Sequence, residues 1–99
     1  MALAINVRLI GWLKGLAGME ETCLKPKRKK LTVSEVVSEL CRKVSSRDFE
    51  RAVIDPISKT VGPNIIVLVN DKDISVLKGL ETPIRSNDAV TLVPVSHGG

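Results

Sequence analysis

The residues of this chain best suited to chemistry stand together at its end, where Ser96, His97, Gly98 and Gly99 follow Val93-Pro94-Val95. Two consecutive glycines carry no side chains, so such a tail is thin and can pass through a channel that a Cβ would block. The α-carboxylate of Gly99, with an ordinary pKa of about 3.3 to 3.7, is an anion at neutral pH and has no useful leaving group until it is activated. Imidazole ordinarily titrates near neutrality, but His97, on a tail, is poorly positioned for acid–base work. Cys23 and Cys41 form no CxxC pair and have no cluster of histidines beside them, which argues against a zinc site or a disulfide framework. Gly11, Gly15 and Gly18 do not have the spacing of a dinucleotide-binding loop. The expected inventory is therefore no catalytic residue, no metal, no bound cofactor, and one terminal carboxylate available for modification.

Composition limits what can present that carboxylate. With 99 residues the chain forms one core, and with 43% hydrophobic but 2% aromatic residues that core is aliphatic, Trp12 and Phe49 being its only large rings. The formal charge is +4, but Lys25, Lys27, Arg28, Lys29 and Lys30 supply five of the fifteen basic residues. The basic character belongs to one short stretch. The apolar start, Met1 to Ile5, lacks a basic leader and is interrupted by Asn6 and Arg8, and no apolar run approaches the roughly 20 residues needed to span a bilayer. A soluble, cytoplasmic monomer with reduced thiols and no membrane contact is expected.

The elements follow from periodicity. Leu3, Ile5, Val7 and Leu9 alternate with polar or small residues as a half-buried strand does. A turn or single helical turn through the three glycines leads to a second strand over about Met19 to Lys25, ended by Pro26. Thr32-Val33-Ser34-Glu35 fits a capping box. The helix it starts carries Val33, Val36, Val37, Leu40, Cys41 and Val44 on one stripe, which makes Cys41 a small packed hydrophobe rather than a nucleophile. A second short helix between Ser45 and Ile54 turns Phe49 and Val53 inward and ends before Pro56; Ile57 to Asn64 is a loop. Ile65 to Val69 is a β-branched strand with Ile65, Val67 and Val69 inward and Ile66 and Leu68 outward. Asn70 to Asp73 supplies a turn, Ile74 to Leu77 an edge strand, and Gly79 to Asp88 a loop. Ala89 to Val95 closes the chain as a strand with Val90 and Leu92 on one face and Thr91 and Val93 on the other. Pro94 lacks an amide donor, so the ladder weakens there.

This order resembles the β-grasp fold of ubiquitin, which implies an α+β domain over residues 1–95, with a mixed four- to five-stranded sheet packed on one main helix and a flexible diglycine tail over 96–99. Asp55-Pro56, Gly62-Pro63, the strand Ile65 to Val69 ending in Asn70-Asp71, and His97-Gly98-Gly99 are similar to the ubiquitin-related modifier family. Val93-Pro94-Val95-Ser96 is also similar to MoaD and to archaeal ubiquitin-like modifiers. The resemblance implies that Gly99 is adenylated by an E1-like enzyme that uses ATP, and that Gly98, His97 and Ser96 are read as the tail. A sulfur donor or sulfurtransferase then makes a thiocarboxylate, for tRNA thiolation or molybdopterin synthesis, or lysines of target proteins receive the tail. Leu68, Ile66 and Val93 are the expected partner-binding patch. His97, where MoaD proteins more often have a small residue, favours the modifier branch.

Three alternatives stay open: a dedicated small subunit of molybdopterin synthase, a regulatory ubiquitin-like module that never uses its terminus, and a nucleic-acid-binding protein. The last would bind through Lys25, Lys27, Arg28, Lys29 and Lys30, since clustered cations release counterions from phosphate. The same run could bring a tRNA near the tail, but there is almost no aromatic surface for stacking, and an edge-protecting charge run is the plainer account.

Overall fold

The computed structural model describes residues 3–95. Strand β1 (Ile5–Leu9) buries Ile5, Val7 and Leu9 and exposes Asn6 and Arg8, as its alternation requires. A short helix α1 (Leu13–Ala17) reverses the chain into β2 (Glu21–Leu24), which pairs antiparallel with β1. After β3 (Leu31–Thr32), helix α2 (Val33–Val44) begins at the expected capping box. The Thr32 hydroxyl accepts from the Glu35 amide at 3.3 Å, and the Glu35 carboxylate accepts from the Thr32 amide at 3.0 Å. Helix α3 (Arg47–Val53) starts from Ser46, whose hydroxyl accepts from the Phe49 amide. Strands β4 (Ile65–Val69), β5 (Lys72–Asp73), β6 (Pro83–Ile84) and β7 (Ala89–Pro94) complete the chain.

The main sheet has the order β2-β1-β7-β4-β5, with β7 parallel to β1 and antiparallel to β4. One face of this mixed sheet packs on α2 and α3. Val33, Val36, Val37 and Leu40 of α2 and Phe49 and Val53 of α3 are buried with Ile5, Val7, Leu9, Val67, Val90 and Leu92 of the strands. The architecture is the β-grasp, and its central pair β1·β7 is what carries the end of the chain through the middle of the sheet.

Four expectations need correction. The segment Ile74 to Leu77 is not an edge strand: pairing stops at Asp73, and Ile74–Val76 is a 3-10 turn. Asn70 and Asp71 both have positive φ, 50° and 69°, which makes a tight two-residue hairpin, and the Asp73 carboxylate then accepts from the Ser75 amide at 2.9 Å and bends the chain out of the sheet. The stretch from Gly79 to Asp88 is not only loop, because Pro83–Ile84 pairs with β3 in a separate two-stranded sheet. Trp12 is not a core residue; it is 50% exposed, and Phe49 is the one buried ring among the described residues. On the β4 side the ladder does not weaken at Pro94, since the Val95 amide still donates to the Asn64 carbonyl at 2.8 Å.

Candidate functional site

The site is the end of β7 and the outer sheet face beside it. Alternation along β7 explains how Pro94 fits. The Val95 amide bonds towards β4, so position 94 faces the β1 side, where the last bond runs from the Ile10 amide to the Leu92 carbonyl and the missing donor falls just beyond the end of that ladder. Gly11 fills that space. Its φ is +60°, and a Cβ built there would stand 3.2 Å from the Pro94 Cγ, so a glycine lets the turn after β1 close against the proline ring. The chain is thus held through Val95. Ser96, His97, Gly98 and Gly99, the expected tail and attachment point, lie outside the described residues.

Ile66, Leu68 and Val93 are brought together. Ile66 is the Cα partner of Val93, Leu68 that of Thr91, and all three apolar residues share the face opposite the helices. Ile66 is 36% exposed, while Leu68 and Val93 are half-buried. Ile65, Val67 and Val69 point into the core, so the inward and outward assignment of this strand holds. Sequence reasoning missed one member. Ile10, 38% exposed, continues the outward parity of Asn6 and Arg8, and its amide donates to the Leu92 carbonyl at 3.1 Å, which sets it beside Val93. Extending the alternation of β1 by one residue would have found it.

The remaining outer face is polar. Arg8 and Glu21 form an exposed pair at 3.0 Å across β1 and β2. An open concavity of about 570 Å³ around Asn6, Arg8, Thr22, Cys23 and Thr91 has no buried charged group to anchor a ligand. Burial and then the Glu50 charge push the Cys41 thiol up to about 11, so it stays protonated and inert. Both cysteines are free, and no group of three metal-ligating side chains occurs among the described residues. Among those residues, too, no helix is long and apolar enough to cross a membrane.

The basic run stands apart from all this. It follows β2, whose Leu24 is the partner of Ile5 at the start of β1, whereas β7 leaves the sheet beyond Leu92 at the other end of β1. At about 3.3 Å per residue the two ends of the sheet are roughly 20 Å apart. A molecule held by these lysines therefore does not meet the end of β7 without spanning the sheet.

The family model Urm1 (Ubiquitin related modifier) matches residues 5–99. The chain belongs to the ubiquitin-related modifier family. It is 31% identical to a candidate sulfur carrier protein of Archaeoglobus fulgidus over 98% of this chain and 100% of that one. It is 32% identical to ubiquitin-related modifier 1 of Schizosaccharomyces pombe, again over 98% and 100%. Among solved structures, the small archaeal modifier protein 1 of Methanosarcina acetivorans superposes with a TM-score of 0.82 at 24% identity, covering 100% of this chain and 99% of that one. That likeness is one of fold, and it reproduces the β-grasp.

Proposed function

We propose that this member of the ubiquitin-related modifier family is a carrier whose Gly99 carboxylate is adenylated by an E1-like enzyme and then loaded with sulfur, joined to lysines of other proteins, or both. The observation that carries the reading is the family match, which runs through the tail to residue 99, together with relatives aligned over their full length. The chain's own part is presentation. A central strand pinned on both sides through Leu92, and on the β4 side through Val95, ends in four residues that can reach at most about 14 Å further. Those residues, Ser96, His97, Gly98 and Gly99, give a narrow neck and a diglycine with no side chain to obstruct a channel.

Activation has to come from the partner. Adenylation neutralises the carboxylate and makes AMP the leaving group. The terminal sulfur of a donor protein's persulfide then attacks the acyl carbon and expels AMP, and a thiol cleaves the resulting acyl disulfide to release the thiocarboxylate and leave a disulfide. Alternatively a lysine amine expels AMP to give an isopeptide bond. Capture of an extended tail is a recurrent recognition mode, and Ile66, Leu68, Val93 and Ile10 form the apolar face that the activating enzyme covers while it holds the tail.

Intact-mass spectrometry of the protein isolated from its native cell tests the reading. Replacement of one oxygen by sulfur, localised to Gly99, supports the sulfur branch; Gly-Gly remnants on lysines of other proteins support conjugation. Finding neither in cells that carry out both pathways refutes the proposal.

A further inference from the structure

Strand β2 borders the main sheet, and half of its backbone groups have no neighbouring strand. The Leu9 amide donates to the Glu20 carbonyl at 2.8 Å, so by alternation Thr22 and Leu24 bond to β1 while the N–H and C=O of Glu21 and Cys23 face outward. One of these outward groups is covered by a side chain. Lys43 of α2 donates its ammonium to the Cys23 carbonyl at 3.0 Å. Lysines commonly blunt open edges in this way, and this one is exposed and can return to water when something better arrives.

The ground beside this edge is shaped and charged. A shallow groove of about 330 Å³ runs between β2 and α2, with Leu24 and Pro26 as its apolar part and Lys25, Glu39, Arg42 and Lys43 around it. Arg42 holds Glu39 at 3.4 Å, and Arg28 is paired with Glu35. Lys25, Lys27, Lys29, Lys30 and Lys43 remain exposed with no acidic partner among the described residues. At the other end of β2, Glu21 is paired with Arg8 and Glu20 is exposed. The potential along the edge therefore runs from one unpaired carboxylate, Glu20, before the strand to strongly basic at its end.

We propose that the open edge of β2 is a docking site for an extended acidic segment of a partner protein, which adds as a further strand and sets its carboxylates over Lys25 and Lys43. Main-chain pairing with Glu21 and Cys23 gives affinity, and the charge gradient sets the register. A polypeptide fits better than a nucleic acid because the free groups are strand amides and carbonyls. Phe49 is fully buried and Trp12 lies at the opposite end, after Gly11, so no ring is available here for base stacking. The edge ends about 20 Å from where β7 leaves the sheet, so a partner can sit on it while the tail is engaged elsewhere. The inference does not depend on the chemistry of Gly99.

The test is an NMR titration of the full chain with a short synthetic peptide of alternating valine and threonine that ends in a run of aspartates. Chemical-shift changes are expected at the amides of Glu21, Cys23 and Lys25, with slowed hydrogen exchange at Glu21 and Cys23. Lys25→Glu and Lys43→Glu, both at exposed positions that leave the fold intact, each weaken binding about five- to tenfold. A lysine-ended version of the peptide, and a version N-methylated at alternate residues so that it cannot pair, do not bind. Deleting Gly98 and Gly99 leaves binding unchanged. Equal binding of the N-methylated peptide, absence of shifts along β2, or an RNA oligonucleotide that occupies these amides when the peptide does not, each overturns the proposal.

Discussion

Ile66→Asp separates recognition from folding more cleanly than any other change on the apolar face. Ile66 is 36% exposed and faces Val93 across the strand pair, with no acidic residue among its strand partners. Losing the covered part of its side chain costs about 1–2 kcal/mol of stability, against about 5–15 kcal/mol for an ordinary domain. The variant stays folded. If Ile66 lies at the centre of the surface that an activating enzyme covers, an aspartate there costs about 2 kcal/mol or more of binding, which is roughly a thirtyfold loss in kcat/KM for adenylation. Leu68→Asp is a poorer probe because Leu68 stands opposite Asp73 on β5, so the new carboxylate adds a like-charge cross-strand pair and confounds the two effects. The control is Ile84→Val, buried on β6 away from the patch, which costs about 0.5–1.5 kcal/mol of stability and should leave adenylation unchanged. ATP–pyrophosphate exchange by the cognate E1-like enzyme reads the rate, and thermal melting reads the fold. A wild-type exchange rate for folded Ile66→Asp refutes the patch.

Gly11→Ala should lower stability by about 1–2 kcal/mol from its left-handed backbone alone, with more from crowding Pro94. Gly18→Ala, at φ +70° but with nothing within 4 Å, carries only the backbone part, so equal melting temperatures for the two variants would disprove the Gly11–Pro94 contact. Thr32→Ala removes the cap of α2 and should cost about 1 kcal/mol in a denaturant titration. The hydrogen bond from the Thr32 amide holds the Glu35 carboxyl below its ordinary 4.5, so its stabilisation is present above that pH and lost as pH falls through the lower folded value. Glu35→Gln should flatten that acid limb, and an unchanged limb would show that the carboxylate is not the coupled group. At pH 8 Cys41 should react with iodoacetamide roughly a hundredfold more slowly than an ordinary thiol, because its pKa of about 11 leaves little thiolate; fast labelling in the folded state would contradict its burial.

Much of the fold was legible because its long elements each answer to one physical demand. The alternation in β1, β4 and β7 exists because one sheet face is covered and the other is not, and the structure buries the odd-numbered set in β1 and β4 and the even-numbered set in β7. The capping box at Thr32 and Glu35 announced α2 to the residue. What was not legible was short. β5 and β6 have two residues each, below the length at which alternation can be recognised. The 3-10 turn after Asp73 depends on one side-chain hydrogen bond that β-branched Ile74 and Val76 do not advertise. Trp12 was placed inside on size alone, but it stands as the N-cap residue of α1 at a chain reversal, where backbone geometry and not hydrophobicity sets its exposure.

The features of the candidate site divide in the same manner. The apolar face was recoverable because polar Asn70, two residues on from Leu68, shares the parity of Ile66 and Leu68 and marks that parity as the outward one. The relation between the basic run and the tail was not recoverable, since it depends on the direction of β1 relative to both its partners. Antiparallel pairing with β2 puts Leu24 beside Ile5, and parallel pairing with β7 puts Leu92 beside Leu9. Those two registers send the lysines and the end of β7 to opposite ends of β1. A partner bound beside Leu24 therefore leaves the end of β7 uncovered, and the free edge of β2 is where such a partner finds both backbone groups to pair and charge to orient it.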